Sequence, residues 1–151
     1  MSIALIDTSV FCNIIPVPGF DQNHEEILGE LDGFIQSDTT LLLPMAAVIE
    51  TGNHIAHVPN GHARRKAAQK FCLEVGNAID GEAPWTPTPF WDVDVLRKWL
   101  HEFPDQAMRK VGMGDLSIIK EWERQCALNQ ARRVFIWTLD GTDLGGYDRK
   151  P

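Results

Sequence analysis

Three short apolar runs punctuate the chain: Ile3-Ala4-Leu5-Ile6, Thr40 to Leu43, and Val134-Phe135-Ile136-Trp137. Unbroken runs of this length fit strands buried on both faces of a parallel sheet. Between them the apolar positions recur at helical spacing. Phe11 to Ile15 predict a short helix that ends near Pro16 and Gly19. Ile27, Leu28, Leu31, Phe34 and Ile35 predict an amphipathic helix to about Gln36, and Asn23 and Glu26 ahead of them have capping-box spacing. Pro44 suits the first turn of a helix carrying Met45, Val48 and Ile49. A further helix, beginning near His62, buries Ala67, Phe71 and Val75 and ends at Asp80-Gly81. Val93, Leu96, Trp99, Leu100 and Phe103 predict another, stopped by Pro104. After a flexible joint at Gly112-Met113-Gly114, Leu116, Ile119 and Trp122 predict a last helix from Asp115 to about Gln130. Strands alternating with helices imply an α/β fold, a mostly parallel central sheet with helices on both faces, in three α/β/α layers.

Two stretches resist this pattern. Pro84 to Trp91 alternates three prolines with aromatic residues, which fits an edge strand or a loop crossing the sheet end. The segment from about residue 144 is glycine-rich and polar and is expected to be less ordered. No repeat, low-complexity tract or linker divides the chain, so residues 1–151 are expected to form a single domain.

Composition narrows the classes. The longest apolar stretch, Leu41 to Ile49, contains Pro44 and is far short of the roughly 20 residues of a membrane span, so no membrane association is expected. No basic region precedes an apolar stretch at the N-terminus, and Cys12, Cys72 and Cys126 form neither a C-x-x-C pair nor an even set. A cytoplasmic protein with reduced, mostly buried thiols is expected. The net charge of −7 argues against a broad nucleic-acid-binding face, leaving any such contact to local basic patches. One patch runs from His54 to Lys70, in which His54, Arg64, Arg65 and Lys66 are candidate phosphate contacts.

The candidate chemistry lies in the acids. Asp7 ends the first strand, and Asp140 follows the last, with Asp143 three residues on. Glu50 sits two turns into the helix after the second strand, and Asp115 opens the last helix. A parallel sheet brings the carboxyl ends of its strands to one edge, where open α/β folds bind their ligands. Carboxylates gathered there raise one another's pKa unless a cation is present. All-oxygen ligation suits Mg²⁺ or Mn²⁺, which can activate water for phosphodiester hydrolysis.

Taken in order, Ile6-Asp7-Thr8-Ser9, the glutamate after the second strand, Gly114-Asp115-Leu116-Ser117-Ile118-Ile119 and Thr138-Leu139-Asp140-Gly141-Thr142-Asp143 resemble the PIN-domain nucleases. By size and layout the chain is most similar to the VapC-type toxins among them. The resemblance spans essentially the whole chain. It implies a five-stranded PIN-like fold and a metal-dependent endoribonuclease, the toxin of a type II toxin–antitoxin pair. By position, Asp7, Glu50, Asp115 and Asp140 match the catalytic and metal-ligating acids, and Asp143 matches an additional metal ligand. Thr8 or Thr138 would orient a carboxylate or a bound water. The family's habits imply an RNA substrate, a cognate antitoxin and a homodimer. Two departures are the Pro84–Trp91 segment and a somewhat longer chain, which leaves open RNA processing without an antitoxin.

Other readings compete. A PIN-like module could bind RNA or a protein without cutting. A haloacid-dehalogenase-like phosphatase would need an aspartate where Ser9 stands, and a receiver domain would need an acid before Asp7 and a late lysine that the Thr138-Leu139-Asp140 segment lacks.

Overall fold

The computed structural model describes residues 1–151. Five strands form one sheet: β1 (Ser2–Ile6), β2 (Thr40–Leu43), β3 (Trp85–Pro87), β4 (Arg133–Trp137) and β5 (Asp148–Arg149), in the order β3-β2-β1-β4-β5. The first four are parallel and β5 is antiparallel to β4. The helices are α1 (Thr8–Ile14), α2 (His24–Gln36), α3 (Met45–Ala56), α4 (Gly61–Ile79), α5 (Val93–Met108) and α6 (Met113–Leu128).

Alternation along the central strands builds the layers, because successive side chains point to opposite faces. Ala4, Ile6, Phe135 and Trp137 join Val10, Phe11, Ile27, Leu31, Ala47, Ile55 and Ala67 in one core, beneath α1 to α4. Ile3, Leu5, Val134 and Ile136 join Ile118, Ile119 and Leu144 in the other, beneath α6. Each fully buried side chain of this size contributes roughly 1.5–3 kcal/mol. The molecule is therefore an α/β fold with a five-stranded, mostly parallel sheet between two helical layers. No helix is long and apolar enough to cross a membrane.

Several expectations need correction. Pro104 does not stop α5, which runs on to Met108. The helix survives because Leu100, whose carbonyl loses its partner, is on an exposed face where water can replace the bond. Gly112-Met113-Gly114 is not a joint: Gly112 caps α6, and Met113 and Gly114 begin it. The tail from residue 144 is packed. Leu144 is buried, Tyr147 lies edge-on to Trp122 at 5.2 Å, and Arg133 pairs with Asp148 at 2.8 Å across β4 and β5. Asn23 and Glu26 form no capping box; their side chains meet each other at 3.3 Å while the Asn23 amide donates to Asn13 Oδ1. Cys72 is exposed, unlike Cys12. The Pro84–Trp91 segment contributes β3, an edge strand, with Trp85 buried against Phe11.

A candidate carboxylate site at the sheet edge

The site grows from the register of β1 on β4. Ile6 pairs with Trp137, so Asp7 and Thr138 leave the sheet side by side at its carboxyl edge. The Asp7 amide still donates to the Trp137 carbonyl at 3.0 Å. Thr138 Oγ1 donates to Asp7 Oδ2 at 2.8 Å, and Ser9 Oγ donates to the same oxygen at 2.9 Å. The Asp140 amide donates to Thr138 Oγ1 at 2.9 Å, and the Leu139 amide to Ser9 Oγ at 3.0 Å. The two strand ends are thus clipped together around a carboxylate that is only 5% exposed. Asp7 is the N-cap residue of α1 by position, yet its side chain makes no capping bond, so its carboxylate is committed to the cavity side.

The other acids come from elements that meet at the same edge. Glu50 lies in the second turn of α3, and Thr8 Oγ1 donates to its Oε2 at 2.9 Å. Asp115 lies in the first turn of α6, which packs against α3. Asp140 Oδ1 accepts from the amides of Thr142 and Asp143, both at 3.1 Å, holding its own loop in a turn. Asp7, Thr8, Ser9, Glu50, Asp115 and Asp140 all line one cavity of about 310 Å³, together with Phe20 and His54.

No lysine or arginine lines this cavity, and none of these acids has an ion-pair partner. The electrostatic consequence appears at Asp115. Its pKa is raised from 3.8 to about 6, first by burial and then by the fields of Asp7, Glu50, Asp140 and Asp143. Cys12, also on the cavity wall, is pushed up to about 11, mainly by burial and further by Asp7 and Glu50, against an opposing hydrogen bond to Thr51. It is an unreactive thiol at neutral pH.

Gly114 sets how closely α6 approaches α3. A Cβ at this position would come within 2.8 Å of Glu50 Cδ and closer still to Oε1. The glycine before Asp115 therefore admits the Glu50 carboxylate against the helix. The sequence signal was present in Gly114-Asp115, but spacing alone could not show what the glycine faces.

The remaining sequence candidates divide. Thr8 and Thr138 orient carboxylates, as described. His54 reaches the cavity. Asp143 does not line it, although its charge is felt at Asp115. Arg64, Arg65 and Lys66 lie on α4 outside the cavity, and Arg64 Nη1 instead donates to the Val58 carbonyl at 2.9 Å. Arg65 and Lys66 line a separate depression with His62. Sequence reasoning missed Phe20, Gln22 and Asn23 as wall residues, because they sit in the irregular α1–α2 connection.

As arranged, no three of the His, Cys, Asp and Glu side chains stand at metal-ligating geometry. The four carboxylates among its lining still suit a hard divalent ion, since no lysine or arginine compensates them. Neither a protein-family model, nor a curated protein, nor a solved structure matches the chain.

Proposed function

We propose that the protein is a divalent-metal-dependent endoribonuclease with a PIN-like fold, acting as the toxin of a toxin–antitoxin pair in the manner of the VapC-type proteins. The observation that carries the reading is the convergence of Asp7, Glu50, Asp115 and Asp140, from four separate segments, on one cavity free of lysine and arginine. Mg²⁺ or Mn²⁺ held by these acids would polarise a phosphodiester and lower the pKa of an attacking water. The chain's own residues do the rest. Thr138 and Ser9 both bond Asp7 Oδ2, so Oδ1 would be the oxygen left for a cation. Thr8 holds Glu50 through Oε2, which keeps its carboxylate at the cavity to orient a water or complete the ligand set. Asp140 spends Oδ1 on its loop and keeps Oδ2 for the site. Asp115, raised by burial and by the neighbouring acids, is the group whose repulsion a bound cation would relieve.

The test is cleavage of RNA by the purified protein with Mn²⁺, with EDTA, and as the Asp7→Asn variant. Asp7→Asn keeps the side-chain volume and is expected to remove at least about a hundredfold of the rate with the fold intact by circular dichroism. Full activity in the variant would refute the assignment.

The lack of a preformed ligand trio favours one second reading, an RNA- or protein-binding module without cleavage. Adding Mn²⁺ separates the two. A site that binds only the folded chain raises Tm in proportion to RT ln(1 + [L]/Kd), and a module without a metal site shows no such shift.

A further inference from the structure

The α1–α2 connection presents an aromatic ring to the carboxylate cavity, and it does so on a braced loop. Phe20 is 40% exposed, and its ring stacks on His54 with centroids 4.3 Å apart and planes 30° from parallel. Both rings line the same cavity as Asp7, Glu50, Asp115 and Asp140. The loop beneath Phe20 is tied at several points. Val17 is fully buried, and the Phe20 amide donates to its carbonyl at 2.9 Å. Gly19 takes φ +88°, a left-handed conformation that suits glycine, and its carbonyl accepts from Gln22 Nε2 at 2.8 Å. Asn13, 2% exposed, accepts from the Asn23 amide at 2.9 Å. An aromatic side chain held this way loses little further freedom on binding.

We infer that Phe20, backed by His54, is a nucleobase-stacking platform beside the carboxylates, so that the substrate is single-stranded RNA with one base turned into the cavity. The inference rests on the nuclease reading above and specifies its substrate. Its physical basis is that the cavity offers no lysine or arginine to hold a phosphate, so beyond what a bound cation would supply the strand needs another contact. Stacking supplies it without regard to sequence, because every base has a π-face. A cavity of about 310 Å³ takes one residue of a strand. A paired base in a duplex has no free face to offer Phe20.

The test uses a fluorescein-labelled, mixed-sequence single-stranded oligoribonucleotide and its duplex. Binding is read by anisotropy with Ca²⁺, and cleavage kinetics are read with Mn²⁺, for the wild type, Phe20→Ala, Phe20→Leu and Phe20→Trp. Phe20→Ala and Phe20→Leu are expected to weaken single-strand binding roughly five- to a hundredfold, and Phe20→Trp to restore it. KM should rise with the loss while kcat stays within a few-fold, and the duplex should bind weakly throughout. Parent-like binding by Phe20→Ala overturns the platform, as does equal binding by the leucine and tryptophan variants, or no binding by the wild type. Phe20-dependent binding without Mn²⁺-dependent cleavage keeps the platform and removes the nuclease reading instead.

Discussion

Single atoms decide whether the site is assembled. Glu50 reaches the cavity because Thr8 holds it and because Gly114 has no side chain to push it away. Gly114→Ala is therefore expected to act through Glu50. The new methyl cannot coexist with the present position of Oε1, so the Glu50 carboxylate must shift. Misplacement of a catalytic group by about 1 Å can cost about a hundredfold, and a rate loss of ten- to about a hundredfold is expected. Its signature is non-additivity: in the Glu50→Ala background, Gly114→Ala should cost almost nothing further, because the displaced group is already gone. Additive losses in that cycle would place the effect of the methyl elsewhere. The acids themselves were legible in the sequence, each as an acid near the end of an apolar strand or the start of a helix. Of the hydroxyls, Thr8 and Thr138 were anticipated through the resemblance alone, as groups that would orient a carboxylate or a bound water. That Ser9 and Thr138 share one oxygen of Asp7 depends on strand register across 131 positions, which no local pattern encodes.

Elements were read well where burial on both sides left a periodic signal, and poorly where a local rule met a tertiary exception. β1, β2 and β4 were visible as apolar runs, since central parallel strands are apolar on both faces. β5 was not visible: it is two residues long and held by the Arg133–Asp148 pair and by Tyr147 on Trp122, contacts made only after β4 is in place. The proline in α5 misled for another reason. Proline in a helix interior costs about 3 kcal/mol, which is normally enough to end a helix. Here Trp99 is buried and edge-on to Trp91 at 5.1 Å, anchoring the helix on one side while Pro104 faces solvent on the other. α5 therefore carries an uncompensated local cost. Pro104→Ala is expected to raise stability by about 1–3 kcal/mol in urea unfolding, with the slope of the transition unchanged. Destabilisation instead would mean that a bend at Pro104 is required for α5 to dock on α6.

At the scale of the whole molecule, the fold accepts an electrostatic penalty at one edge, and that penalty is measurable without any substrate. Asp115 ionises at about 6 in the folded chain against 3.8 ordinarily. Below 3.8 it is protonated in both states, and its contribution to stability is fully present. Between 3.8 and about 6 the folded state holds more protons than the unfolded one, so that contribution falls as pH rises, and it is gone above the folded value. Other carboxylates titrate in the opposite sense, Asp148 among them, since Arg133 holds its pKa below the usual range. The Asp115 effect is therefore isolated by difference. In EDTA at pH 7, Asp115→Asn is expected to melt above the wild type, by roughly 2–4 °C if the half-buried group is worth about 1 kcal/mol after solvent screening. The gap should close as pH falls to 4. If the proposed metal site exists, added Mn²⁺ should invert the order, since only the wild type retains all four carboxylates and gains the fuller binding free energy. Calorimetry on both proteins at three pH values, with and without Mn²⁺, separates the terms. A gap that does not change between pH 4 and 7 would show that Asp115 is not the strained acid. A gap that changes with pH but ignores Mn²⁺ would show that the penalty is structural and not held in reserve for a cation. Stability given up at one edge of an otherwise well-packed sheet is what a site kept for a ligand would show, and under the proposed function an acid-to-amide change would strengthen the fold while weakening the site.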